Sequence, residues 1–157
     1  MTALVAYYSR KGRTEKVAHA IAENLGAELV RITPPGQVNL AIGVMEAMMV
    51  MKSAIKSCRT DLTGIDTLVI VTPVWAGKIP PFVSMYLYQV SPGEGKKFAV
   101  FTERGRHGSD HPIRLVRHVL EGKGMNFVAS GVTIESDVDS GEYLSLVRKF
   151  TREVLGQ

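Results

Sequence analysis

Four nearly unbroken apolar runs constrain this chain more than any other feature: LVAYY (4–8), LVIVT (68–72), KFAVFT (97–102) and FVASGVTI (127–134). Runs without hydrophobic–polar alternation suit strands buried on both faces. A fifth run, ELVRI (28–32), alternates by halves and is closed by Pro34, Pro35 and Gly36. Between the runs the apolar spacing becomes helical. From Thr14, residues Val17, Ala18, Ile21, Ala22 and Leu25 form one stripe, and Gly26 is placed to end it. Residues 39–57 predict a long helix and 82–90 a short one. Residues 112–121 predict another, with Ile113, Val116 and Leu120 inward, Asp110 or Ser109 as cap and Gly122 behind. The last helix is predicted over 142–155, introduced by Asp139 or Ser140. Five strands alternating with helices imply an α/β fold with a parallel sheet covered on both faces. Ligands then bind beyond the carboxyl ends of the strands, which selects the loops 9–14, 73–79 and 103–110.

The length of 157 residues, with no linker, repeat or low-complexity stretch, predicts a single domain over 1–157. A formal charge of +4 favours anionic ligands. The one cysteine, Cys58, excludes a disulfide within the chain and fits a reducing compartment. No secretory-type start and no apolar run of the roughly 18 residues needed for a span are found. The expectation is a cytoplasmic protein whose partners are neither membrane nor nucleic acid.

The first selected loop is SRKGRT (9–14), three cations around one glycine, between a strand-like and a helix-like run. At a helix N-terminus the unpaired N–H groups and the dipole favour an anion. Gly12 permits a tight turn, Ser9 and Thr14 offer hydroxyls, and Arg10, Lys11 and Arg13 supply charge. The alternative is a solvated basic turn with Thr14 as a simple cap. Neither G-x-x-x-x-G-K-[ST] nor G-x-G-x-x-G is present, which excludes a Walker loop and argues against a dinucleotide turn. A phosphatase loop would need its own cysteine, and a receiver domain would need an acceptor Asp where Thr72-Pro73 stands. The loop can hold a phosphate but shows no means of doing chemistry on one.

YYSRKGRT followed by EKVAHAIA, together with DLTGIDTLVIVTPVWAGKIPPFV, resembles the flavodoxin-like FMN-binding proteins along the whole chain. The resemblance implies a three-layer α/β/α sandwich with a five-stranded parallel sheet of order 2-1-3-4-5 and FMN at its carboxyl edge. It places Ser9, Arg10, Lys11, Gly12, Arg13 and Thr14 around the FMN phosphate. Thr72, Pro73, Val74, Trp75, Ala76 and Gly77 would border the isoalloxazine and ribityl. Thr102, Glu103, Arg104, Gly105 and Arg106 would form the third wall. A flat ring stacked on Trp75 gains about 1–3 kcal/mol by analogy with base-stacking platforms; the alternative for Trp75 is a plug under the loop. The chain departs from the family where Lys11-Gly12-Arg13 replaces Thr-Gly-Asn. It also has Arg104, Arg106 and His107 where many flavodoxins carry aromatic and acidic residues. Cations at the flavin edge would raise its potential.

The stretch 39–57 carries Met45, Met48, Met49 and Met51, read either as a wide core face or as a homodimer contact. His107, His111, His19 and His118 lack ligand-spaced companions, so no metal is expected. Tyr86 and Tyr88 are read as packing residues, and Asp137 and Asp139 as part of a solvated turn. No catalytic acid–base or nucleophile–base pair stands out. The leading expectation is an FMN-binding electron carrier or small flavin reductase of flavodoxin type, with the carrier favoured, serving a redox partner protein or a small electron acceptor. The alternatives are an NAD(P)H- or quinone-dependent FMN oxidoreductase on the same fold, and an interaction module without FMN.

Overall fold

The computed structural model describes residues 1–35, 55–108 and 110–157. In chain order the elements are β1 (Ala3–Tyr7), α1 (Arg13–Leu25), β2 (Glu28–Arg31), β3 (Thr67–Pro73), α2 (Pro81–Gln89) and β4 (Lys97–Arg104). They continue with α3 (His111–Glu121), β5 (Asn126–Ile134), α4 (Glu135–Ser140) and α5 (Tyr143–Leu155). The strands form one sheet of order β2-β1-β3-β4-β5, and every pairing is parallel. This is the flavodoxin-like α/β order that the resemblance implied.

Side chains of a strand alternate between faces, and each central strand feeds two cores. Leu4, Ala6, Leu68, Ile70, Phe98 and Val100 point to one face, under Phe82, Tyr86 and Leu87 of α2 and Val116 and Leu120 of α3. Val5, Tyr7, Val69, Val71, Ala99 and Phe101 point to the other, under Val17 and Ile21 of α1 and Val147, Phe150 and Val154 of α5. Every residue of β1 and β3 is buried. That double burial is why their sequences run apolar without a break.

Element ends differ from the predicted ones by a residue or two. One structural correction is larger. The stretch read as a solvated turn is the short helix α4, and Ser140 closes it, so α5 starts only at Tyr143. Tyr86 packs as expected, with its hydroxyl donating to the Arg59 carbonyl at 2.9 Å. Tyr88 does not pack, being 66% exposed. Of the predicted 39–57 helix, residues 39–54 lie outside the described residues, so the methionine face and its dimer contact do too; residues 55–57 are not helical. Ser109 also lies outside, and Asp110 occupies the cap position of α3 without a side-chain cap bond.

Gly131 on β5 pairs in register with Phe101 on β4. A Cβ there would sit 2.5 Å from two carbons of the Phe101 ring, which itself packs edge-on against Phe150 at 5.1 Å. Phe101 is fully buried and has no room to retreat. Gly131→Ala is therefore expected to cost about 1–3 kcal/mol by overpacking, read as a lower urea midpoint at an unchanged m-value.

Candidate functional site

At the end of β1 the chain turns through Ser9–Gly12 into α1. Gly12 takes the position before the helix with φ 93°, a left-handed conformation that side chains disfavour, so glycine is required there. Its N–H donates to the Ser9 hydroxyl oxygen at 3.0 Å, which pulls the buried Ser9 inward and leaves that hydroxyl a proton to give. Its carbonyl accepts from Lys16 N–H at 3.1 Å, closing the first helical turn. The N–H groups ahead of that turn have no helical acceptor and face outward with the positive end of the dipole. Gly12, not Thr14, starts the helix.

Thr14 is buried and acts elsewhere, donating its hydroxyl to Glu103 Oε2 at 3.2 Å. Glu103, near the end of β4, is buried as well, and its Oε1 has no partner. Burial pushes the Glu103 carboxyl above the usual carboxylate range, opposed by the Thr14 hydrogen bond and reinforced by Glu135. Arg13 leans away toward α4, holding Asp139 through two bonds of 2.9 and 3.0 Å, with Glu135 at 3.9 Å. That hydrogen bond holds the Asp139 carboxyl below its ordinary value. Asp139 is thus a partner of the loop rather than a turn residue.

The second loop is a two-residue turn. Trp75 and Lys78 exchange both backbone hydrogen bonds, at 2.8 and 2.9 Å, across Ala76 (φ 49°) and Gly77 (φ 75°). Positive φ at both central positions is the signature of the primed hairpin turns. The Trp75 ring is half-buried, edge-on to Tyr8 at 5.5 Å and to Phe82 at 6.3 Å. It therefore plugs the core on one side while lining the cleft on the other. In the third loop Arg104 is half-buried with an unpartnered Nε, and its side chain packs so closely on Gly108 that a Cβ there would collide with it.

One cleft gathers Ser9, Arg10, Lys11, Arg13 and Thr14 from the first loop, Pro73, Val74 and Trp75 from the second, and Glu103 and Arg104 from the third. Thr72 and Thr102 do not line it; they are paired across β3 and β4 and buried. Ala76, Gly105 and Arg106 are exposed, and Gly77 half-buried, in the turns around it. Glu135 lines the cleft and was missed by sequence reasoning. Its signal was an acid immediately after a strand, at a helix start.

These residues suit a phosphate monoester tied to a flat ring. The loop supplies hydroxyl and N–H donors, Arg10 and Lys11 are exposed cations, and Trp75 is a wall for a ring. Glu103 and Arg104, on the same cleft, each hold an unsatisfied buried polar atom. No helix among the described residues is long and apolar enough to cross a membrane.

Residues 1–139 match the family described as NADPH-dependent FMN reductase. No curated protein matches the chain. Among solved structures, a flavoprotein in complex with FMN from Lactobacillus acidophilus is 19% identical with TM-score 0.69, covering 88% of this chain and 97% of that one. A flavodoxin from the domain Archaea is 17% identical with TM-score 0.63, covering 98% and 99%. A flavodoxin, WrbA-like protein from Agrobacterium tumefaciens is 17% identical with TM-score 0.62, covering 95% and 98%. At these identities the likeness is one of fold.

The buried Glu103 makes stability pH-dependent in protein stripped of ligand. Its folded carboxyl keeps a proton to higher pH than the unfolded chain does. The resulting stability is full below the ordinary glutamate range and is lost as pH rises through the folded value. Glu103→Gln is therefore expected to raise the urea midpoint of the stripped protein at pH 8, with the gain disappearing near pH 4. A midpoint difference that does not change with pH contradicts this.

Proposed function

The chain belongs to the NADPH-dependent FMN reductase family, and from that premise we propose that it is an oxidoreductase moving electrons from NADPH through bound FMN to a small acceptor such as a quinone. FMN binding follows from the family, and bound FMN supplies the redox chemistry in one- or two-electron steps. The chain's residues hold and bias it. Ser9, the first N–H groups of α1 and the cations Arg10 and Lys11 take the phosphate end. Trp75, braced by Tyr8 and Phe82, walls the ring side.

The observation that carries the proposal is the cationic third loop. Arg104 lines the cleft, and Arg106 and His107 follow it, exposed, on the same turn. Positive charge there favours the negative charge that the cofactor gains on full reduction, as suits a two-electron reductase. A second reading, the electron carrier, draws on one feature. The FMN walls are two short turns, and no separate nicotinamide-binding motif is found in the sequence. The module without FMN is set aside because the family is an FMN family.

FMN-loaded protein is expected to oxidise NADPH steadily with a quinone acceptor. Reduction only through a partner protein would favour the carrier instead. Arg104→Ala combined with Arg106→Ala is expected to lower the two-electron potential by about 30 mV, the equivalent of about 1.4 kcal/mol. A potential unmoved by the double substitution would remove the loop's electrostatic role.

A further inference from the structure

The carboxyl of Glu103 stands where an anion-binding site should not have one. The residue is 6% exposed and lines the same cleft as Ser9, Lys11 and Thr14. Oε2 is committed to the Thr14 hydroxyl at 3.2 Å, whereas Oε1 is buried without a partner. An ionised carboxylate beside a phosphate at the start of α1 would set two like charges together in a partly desolvated cleft.

The surrounding groups offset that charge only in part. From α1, Arg13 offsets part of the Glu103 charge, but its Nε and Nη2 are held by Asp139 and its Nη1 lies 3.9 Å from Glu135. From α4, Glu135 and Asp139 add negative charge. From the loop, Arg10 and Lys11 are exposed to solvent, and on β4 Arg104 is packed against Gly108. A proton on Glu103 removes the like-charge repulsion that remains. Oε1 is the oxygen free to carry it, because Thr14 already donates to Oε2.

We propose that Glu103 is a proton-coupled wall of the phosphate cradle: when the phosphate monoester of FMN settles at the start of α1, Oε1 takes one proton from solvent and donates it to a phosphate oxygen. The proposal rests on FMN occupying this cleft phosphate-first. The proton comes from water or buffer, and no bond in the ligand is made or broken. Glu103 then changes from a repelling group into a hydrogen-bond donor only when a phosphate is present. The site thereby discriminates between FMN and riboflavin, and does so more strongly as pH falls.

The test is calorimetric titration of stripped full-length protein with FMN at pH 8, in two buffers of different ionisation enthalpy. At that pH free FMN phosphate is a dianion, its second ionisation lying near about 6. The wild-type chain is expected to take up close to one proton per FMN, with Kd rising about tenfold per pH unit. Glu103→Gln keeps a donor at the same place and should bind FMN with no uptake and a flat pH profile. Riboflavin should bind either chain without uptake. FMN binding to wild-type protein without uptake overturns the proposal, and that measurement needs no variant. Uptake that persists in Glu103→Gln overturns it as well, because the phosphate itself would then carry the proton. Absence of any FMN binding, read by flavin fluorescence, overturns both this inference and the cleft assignment beneath it.

Discussion

The double burial of β1, β3 and β4 governs the rest of the molecule. A strand covered on both faces has nowhere along its length to place a charge, because an unpaired charge in such an interior is heavily penalised. Polar chemistry is therefore displaced to the carboxyl ends of these strands. Tyr7, Pro73 and Arg104 are the last residues of β1, β3 and β4, and the three candidate loops begin there. The adjacency of those strands in the sheet brings loops together that are far apart in sequence. Glu103 is the instructive exception, a charged side chain still within a strand and still buried. Its position at the sheet's edge of polarity gives it both its raised proton affinity and its access to the cleft.

Much of this was legible beforehand, and the reasons are local. Continuous apolar runs gave the strands, since burial on both faces leaves no other pattern. Gly12 and the W-A-G-K turn were conspicuous because backbone geometry admits few residue types there. The cleft-lining role of Ser9, Lys11, Trp75 and Arg104 followed from the loops that carry them. The residues of the site alone do not separate a carrier from a reductase, and the family assignment adds the name of a reductase family.

What was hidden involved partners distant in sequence. Arg13 lines the cleft but is also paired with Asp139 and approached by Glu135, and nothing near residue 13 announces them. Thr14 was legible as a hydroxyl donor to an anion or as a simple cap, but not as the partner of Glu103 that its hydroxyl proves to be. The helix α4 was read as a turn because five of its six residues, ESDVDS, are weak helix formers and only one side chain, Val138, is buried. Its shape comes from packing beside α1 and β5, a tertiary cause that composition does not record.

The two bonds that finish the first loop also have a consequence in time. Thr14 meets Glu103 across 89 residues, and Arg13 meets Asp139 across 126. A ribosome extends the chain from its N-terminus, so the loop leaves the exit tunnel long before either carboxylate exists. Until β4 and then α4 are made, the start of α1 is a basic segment without its acidic counterparts. The finished setting of the loop is thus acquired near the end of synthesis, although its sequence is among the first to appear.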